Sequence, residues 1–156
     1  MAAVCRVHEI FKGKNLTLSV AESCTGGLIS HYLTTLAGAS NFFEAGVVSY
    51  SIESKKRILG VSPEIISQYG VVSNETAREM AEKMRLLTKT DFSLSTTGNL
   101  GPDVLEGKDK GLVYIAVSKK GQKFSRELRL KGDRSENKRD AAISAMRFLI
   151  EIIEGT

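Results

Sequence analysis

One short segment carries the residue types that nucleophilic chemistry requires. It reads Ala21-Glu22-Ser23-Cys24-Thr25-Gly26-Gly27 and follows a short apolar run. Two glycines at the start of a helix would let a ligand approach the backbone, whose free N–H groups attract an anion or a developing oxyanion. The dinucleotide fingerprint G-x-G-x-x-G is absent. Ser23 lies just before these N–H groups, which is where a nucleophile would act.

A serine nucleophile needs a base, and the histidines are poorly placed to supply one. His31 lies more than one turn into the helix that follows, and His8 lies in the first helix, so no Ser-His-Asp triad is evident. Lys55 and Lys56 come a few residues after Tyr50. A lysine acts as a base only if burial or neighbouring cations lower its pKa from about 10.4 towards about 7–8. On the residues alone, a plain surface role for both lysines remains the alternative.

Cys24 is the competing nucleophile, because a thiol beside a helix N-terminus can be acidic. Its side chain is expected to point away from that of Ser23, and a small buried residue is the commoner role of a lone cysteine. Together with Cys5 it makes neither a disulfide framework nor a metal site, and no CxxC or HExxH spacing occurs. We therefore expect no metal and no cofactor.

Two further segments place small and hydroxylic residues where strands should end. They are Ser49-Tyr50-Ser51 and Ser95-Thr96-Thr97-Gly98. Each alone is ordinary turn chemistry. In open α/β sheets, however, ligands bind beyond the strand ends. If the three strands are neighbours, their ends should form one pocket.

The elements that must position these residues follow from periodicity and turn signals. Apolar or alternating runs predict strands near 16–21, 45–51, 92–96, 112–118 and 123–130, the last two as a hairpin. Helical spacing predicts a helix ending at Gly13, one opened by Gly26-Gly27, a short one at 55–59 ending at Gly60, and others capped by Ser62-Pro63, by Ser73 and by Asp133 or Ser135. Strands alternating with helices, plus one hairpin, predict a three-layer α/β/α sandwich with a mixed, mostly parallel sheet.

Length and composition predict one ordinary globular domain over residues 1–156, with 42% apolar and 26% charged residues. The net charge of +4 includes a mild basic cluster from Arg126 to Arg139. This cluster is either a solvated surface or an attraction for a phosphorylated small molecule, whereas duplex nucleic acid would require a denser basic stripe. The N-terminus mixes charges too early for a signal peptide, and no apolar run approaches about 20 residues. We expect a cytoplasmic protein with no membrane partner.

The ordered motifs between about Leu16 and Ile150 resemble the C-terminal domain family of the CinA competence/damage-inducible proteins. The matching segments are Ala21–Gly27, Gly46–Ser51, Lys55, Leu59–Val61, Gly70–Ser73, Thr96–Gly98, Gly101-Pro102, Gly111–Tyr114 and Gly132–Arg134. So many motifs in one order make the resemblance specific.

The resemblance implies a metal-free serine amidohydrolase that converts nicotinamide mononucleotide to nicotinate mononucleotide and ammonia, and it implies a homo-oligomer. By motif position, Ser23 corresponds to the nucleophile and Lys55 to its base. Tyr50 would help to set the lysine, and Thr97 and Gly98 would border the carboxamide.

The resemblance also implies a set of substrate-binding residues. Thr25, Gly26 and Gly27 would bind substrate at the start of the helix. Arg134, in the Gly-Asp-Arg motif, is a candidate for phosphate binding or for structural pairing. Lys138 stands where the family commonly has Arg, and the two are not interchangeable at a bidentate site.

The departures from the family pattern cluster around the expected pocket. Ile52 replaces the usual Asn after Tyr-Ser, Asn99-Leu100 replaces the usual Ile-Ala, and the 103–110 loop lacks the usual Gly-Gly and the proline near its end. We expect these changes to reshape the pocket wall, with the Asn99 amide partly replacing the one lost at position 52. The alternative is a binding module that retains the nucleotide pocket but has lost turnover.

Overall fold

The computed structural model describes residues 1–155 and places five strands in one mixed sheet, in the order β2-β1-β3-β4-β5. β1 pairs in parallel with β2 and β3, while β4 is antiparallel to β3 and β5. All strands except β4 therefore run in one direction across the described chain, which confirms the expected mixed, mostly parallel sheet and its hairpin. The strands are β1 (Leu18–Glu22), β2 (Phe43–Val48), β3 (Phe92–Gly98), β4 (Leu112–Lys119) and β5 (Gln122–Arg129).

Helices cover both faces of the sheet. They are α1 (Ala2–Gly13), α2 (Leu28–Thr35), α3 (Ile52–Ser54), α4 (Pro63–Tyr69), α5 (Asn74–Thr88) and α6 (Arg134–Glu154). The apolar sides of α1, α2 and α6 share one buried core with the sheet, and α4 and α5 pack in a second core on the opposite face. This arrangement confirms the three-layer sandwich. None of the helices within residues 1–155 has the length and apolar character needed to span a membrane.

The helix starts follow the capping signals in two of three cases. The hydroxyl of Ser73 accepts a hydrogen bond from the N–H of Thr76, and Asp133, rather than Ser135, caps α6. Ser62 precedes Pro63 as expected, but its side chain makes no cap. Its hydroxyl instead donates to the carboxylate of Glu64, at 2.7 Å.

The predicted helix at 55–59 forms, but it is not an ordinary α-helix. Lys55–Leu59 is a π-helical turn that continues α3 directly and ends at Gly60, whose φ is 81°. π-helical turns are rare and occur frequently at functional sites. Here the turn buries Lys55 beneath the end of the sheet while Lys56 stays at the surface in an ion pair with Glu53.

The three strand ends that carry hydroxylic residues are direct neighbours, as the pocket hypothesis required. β1 lies at the middle of the three and is buried along its whole length. Past its end, the N–H of Ser23 donates to the carbonyl of Thr96 at 3.1 Å, and the N–H of Ser49 donates to the carbonyl of Glu22 at 2.8 Å. The parallel pairing thus brings all three segments to one edge of the sheet.

Candidate active site

Glu22, the last residue of β1, holds the turn that presents Ser23. Its side chain is completely buried and lies at the N-terminus of α2. The carboxylate accepts five hydrogen bonds of 2.6–3.2 Å, from Thr25 Oγ1, Gly27 N, Ile29 N, Ser30 N and Ser30 Oγ. A buried carboxylate at this position both satisfies open helix donors and complements the helix dipole.

This cap overturns the expectation of free N–H groups at the double glycine. The N–H of Gly26 donates to the carbonyl of Ser23 at 3.0 Å, and that of Gly27 donates to Glu22 at 3.2 Å. The helix start therefore binds an anion that belongs to the protein itself. Gly27 is required because its φ is 100°, which residues with a side chain rarely adopt.

Lys55 reaches Ser23 directly. Its side chain is 1% exposed, and its Nζ lies 2.8 Å from Ser23 Oγ, 2.9 Å from the carbonyl oxygen of Ser49 and 3.2 Å from that of Tyr50. A neutral amine has two N–H donors and one lone pair. The two carbonyls take the two donors, and the lone pair is then free to accept the proton of the Ser23 hydroxyl.

Burial lowers the pKa of Lys55 from 10.5 to about 8, because the charged amine loses its hydration. The nearby Cys24 and the carboxylate of Glu106 act in the opposite direction but do not cancel the effect. The amine is therefore neutral in an appreciable fraction of molecules near neutral pH, which is the range that a general base needs.

Cys24 has the opposite electrostatic character. Burial raises the pKa of its thiol to about 12, although Thr96 and Lys55 both favour the thiolate. Its side chain packs in the apolar core shared with α1, α2 and α6. Cys24 also lines the pocket, but a protonated thiol is a poor nucleophile, so the raised pKa together with the Lys55 contact favours Ser23.

A pocket of ≈ 690 Å³ opens beside the Ser23–Lys55 pair. Thr97 and Gly98 form part of its inner wall, and Val71 contributes a side of it. The hydroxyl of Thr97 donates to the carbonyl of Val71 at 2.8 Å and is thus already used. Gly98 permits close packing of the sheet, because a Cβ at this position would lie 2.6 Å from the Cα of Val113.

Tyr50 and Arg134 lie at the mouth of the pocket. Tyr50 supports Lys55 through its backbone carbonyl and not through its side chain, which is 60% exposed. The guanidinium of Arg134 donates to the Tyr50 hydroxyl at 3.0 Å and to the carbonyl of Gly101 at 2.6 Å. Arg134 therefore joins two loops across the opening.

Four other residues were predicted to bind the substrate but do not line the pocket: Thr25, Gly26, Gly27 and Lys138. The hydroxyl of Thr25 is buried between Glu22 and Thr96, so Thr25 and Gly27 serve the α2 cap. Lys138 packs over Gly26, where a Cβ would lie 3.1 Å from its Nζ. Their contacts show a structural role for Thr25 and Gly27, and substrate binding by these residues stays a prediction.

The departures from the family pattern also occupy definite places. Ile52 is 45% exposed and lines the outer pocket. The amide of Asn99 is committed to its own loop, because Oδ1 accepts from the N–H of Gly101 and Nδ2 donates to the carbonyl of Lys108. Asn99 lines the pocket, but these bonds use one N–H and one oxygen lone pair of its amide, so its replacement of an amide at position 52 stays a prediction. Leu100 is 3% exposed and belongs to the core.

Sequence reasoning missed Glu22 as the cap, the carbonyls of Ser49 and Tyr50 as partners of Lys55, and Glu106 in the pocket lining. A carboxylate that follows an apolar run and precedes a glycine-opened helix is a recognisable signal for Glu22. The backbone carbonyls have no sequence signal. Within the described residues, no group of three or more His, Cys, Asp and Glu side chains could hold a metal ion.

The model of the CinA C-terminal domain family matches residues 2–153. A protein of Thermoanaerobacter pseudethanolicus named as competence-damage inducible is 44% identical over 151 residues, which is 94% of this chain and 37% of that protein. The CinA-like protein of Dictyoglomus thermophilum is 44% identical over 144 residues, covering 92% of this chain and 35% of its own length. The chain thus spans about a third of the length of the curated relatives it matches.

Solved structures agree over almost the whole chain. The competence/damage inducible protein CihA of Agrobacterium tumefaciens is 33% identical with a TM-score of 0.94, covering 98% of this chain and 94% of that one. A CinA superfamily protein of Escherichia coli is 30% identical with a TM-score of 0.93, covering 96% and 88%. On the family match and these identities, the chain belongs to the CinA C-terminal domain family.

Proposed function

We propose that this chain is an amidohydrolase that converts nicotinamide mononucleotide to nicotinate mononucleotide and ammonia. The observation that carries the proposal is the 2.8 Å contact between Lys55 Nζ and Ser23 Oγ inside a pocket. Burial of Lys55, with its pKa lowered to about 8, supports the role of a base. The substrate itself is inferred from the family resemblance.

In the first half of the reaction, the neutral amine of Lys55 takes the proton of the Ser23 hydroxyl while the oxygen attacks the carboxamide carbon. The protonated amine then gives this proton to the departing nitrogen, which leaves as ammonia. An ester between Ser23 and the acyl group remains. Positioning and proton transfer of this kind are the usual contributions of a nucleophile–base pair.

In the second half, Lys55 accepts a proton from a water molecule that attacks the ester carbon. The same proton returns to Ser23 Oγ as the ester breaks and the carboxylic acid leaves. The backbone N–H of Cys24 donates to no other residue within residues 1–155. It directly follows the nucleophile, which is the position that supplies an oxyanion donor in other serine hydrolases, and we assign it that role.

A second candidate is a binding module that holds the mononucleotide without turnover. One observation supports it: Arg134 is a cationic side chain of the pocket besides Lys55 and could hold a phosphate without any chemistry at Ser23. Its guanidinium is already bonded to Tyr50 and Gly101, so a phosphate would have to share it. The Ser23–Lys55 contact favours the amidohydrolase, since a passive binding site has no need of a buried lysine.

The test is ammonia release from nicotinamide mononucleotide, with nicotinamide riboside and glutamine as comparison substrates and Ser23→Ala as the control. Because the base must be neutral, kcat/KM should fall as the pH drops below the Lys55 pKa of about 8 and level off above it. Tight binding without ammonia release would establish the second candidate. A rate that is flat from about pH 6 to about pH 9 would exclude the lysine base.

A further inference from the structure

Glu106 lies in the loop that departs most from the family pattern, yet its carboxylate is closely engaged. It accepts hydrogen bonds from the N–H groups of Val71 and Val72, at 2.9 and 3.0 Å. Gly70 leaves room for this approach, because a Cβ there would lie 2.5 Å from Glu106 Oε1. The carboxylate thus fastens the loop to the backbone segment that forms one side of the pocket.

Lys108 makes the reciprocal contacts two residues further on. Its Nζ donates to the carbonyls of Tyr69 and Val72, and it lies 3.7 Å from the Glu106 carboxylate. The two side chains therefore satisfy backbone donors and backbone acceptors of the same segment. We name Glu106 and Lys108 the loop clamp.

The clamp decides where two exposed apolar side chains lie. Val104 and Leu105 precede Glu106, line the outer pocket and are 66% and 44% exposed. Glu106 itself has a φ of 57°, a backbone conformation that is unfavourable for a residue with a side chain. The hydrogen bonds of its carboxylate must therefore offset this conformational free energy. Of the described residues 99–110, Glu106 and Lys108 supply the hydrogen bonds to the segment 69–72 on the opposite wall.

We propose that Glu106 is a positioning residue that determines substrate affinity, because the loop clamp holds Val104 and Leu105 as the outer wall of the pocket. The proposal depends on the proposed function only for the identity of the substrate. Ser23 and Lys55 come from other elements. The clamp therefore acts on the chemical step only through the charge of Glu106, which raises the pKa of Lys55, and otherwise acts on binding. The substrate surface it serves is apolar, which fits an aromatic ring next to the carboxamide.

The test compares Glu106→Gln with Asp109→Asn, a matched loss of one carboxylate in the same loop. The Asp109 side chain is 86% exposed, and its carboxylate forms an ion pair with Arg129 at 3.8 Å. In Glu106→Gln, amide hydrogen exchange at Val71 and Val72 should accelerate about tenfold or more, because charge-assisted bonds are lost. Asp109→Asn should leave this exchange unchanged.

Kinetics supply the second readout. Measured at about pH 9, where the Lys55 amine is largely neutral, Glu106→Gln should raise KM for nicotinamide mononucleotide about tenfold and change kcat less than about twofold. Leu105→Ala should also raise KM but leave the exchange of Val71 and Val72 unchanged. This companion variant separates the wall from the clamp.

Unchanged exchange in Glu106→Gln would overturn the proposal, as would faster exchange with an unaltered KM. A loss of kcat at constant KM would also contradict it. If the wild-type chain releases no ammonia, the proposed function fails, while exchange and mononucleotide affinity measured by calorimetry still test the clamp. If the wild type hydrolyses the substrate and Glu106→Gln behaves like Asp109→Asn, only the clamp fails.

Discussion

The turn between β1 and α2 and the loop from 99 to 110 border the same pocket, but they are held in opposite ways. The turn is secured by a completely buried carboxylate, Glu22, between two layers of the sandwich. The loop is secured by Glu106 and Lys108, whose side chains are 26% and 32% exposed. Bonds of the first kind are shielded from water, whereas bonds of the second kind compete with it.

Under the proposed function, this difference separates the residues of the chemical step from the residues that contact the substrate. Ser23 and Lys55 are positioned by the sheet edge and by a π-helical turn, so they have little freedom. The outer wall belongs to a surface loop, where changes in sequence cost little stability. The departures in the 103–110 loop lie on this second side. Ile52 lines the same pocket but begins α3, the helix that continues into the π-helical turn of Lys55.

The largest effect on activity should come from substitutions of Ser23 and Lys55. Ser23→Ala and Lys55→Ala should each lower kcat for ammonia release by on the order of 10³-fold, and the double variant should be little worse, because the two residues act as a unit. Lys56→Ala is the matched control, since Lys56 pairs with Glu53 at the surface. Activity that survives Ser23→Ala but not Cys24→Ala would show that the thiol is the nucleophile.

The second-largest effect should be on stability, and it tests whether the turn between β1 and α2 depends on the buried carboxylate of Glu22. Glu22→Gln should lower the free energy of unfolding by about 3 kcal/mol, because an amide cannot accept the five hydrogen bonds that the carboxylate accepts. Urea denaturation measures this change. Glu44→Gln, at an exposed position of the edge strand β2, should change the stability by less than about 0.5 kcal/mol. Equal effects of the two substitutions would refute a special role for Glu22.

The smallest effect should come from the outer wall. Ile52→Asn should leave the protein folded and change KM by up to about tenfold, with a smaller change in kcat, because Ile52 lines the pocket outside the Ser23–Lys55 contact. Steady-state kinetics with thermal unfolding as the control measure both quantities. A large fall in kcat at constant KM would mean that this position acts on the chemistry through α3, which leads into the π-helical turn of Lys55.

Much of the architecture was predictable from local patterns. The alternating strands and helices predicted the three-layer sandwich, and the hairpin of β4 and β5 formed as expected. Ser73 and Asp133 cap their helices because short polar side chains satisfy open N–H donors. Ser62 makes no cap, because its hydroxyl donates to the carboxylate of Glu64 instead.

The sequence by itself determined the family motifs, the order of the elements and the presence of a serine at a strand-to-helix turn. It could not place Lys55, because 32 residues of chain separate it from Ser23 and only the burial of a π-helical turn brings them into contact. It also could not show that Glu22 uses the helix donors or that the Asn99 amide bonds within its own loop. Such assignments depend on which polar groups meet after folding, and a buried group bonds to the partner that packing brings within reach.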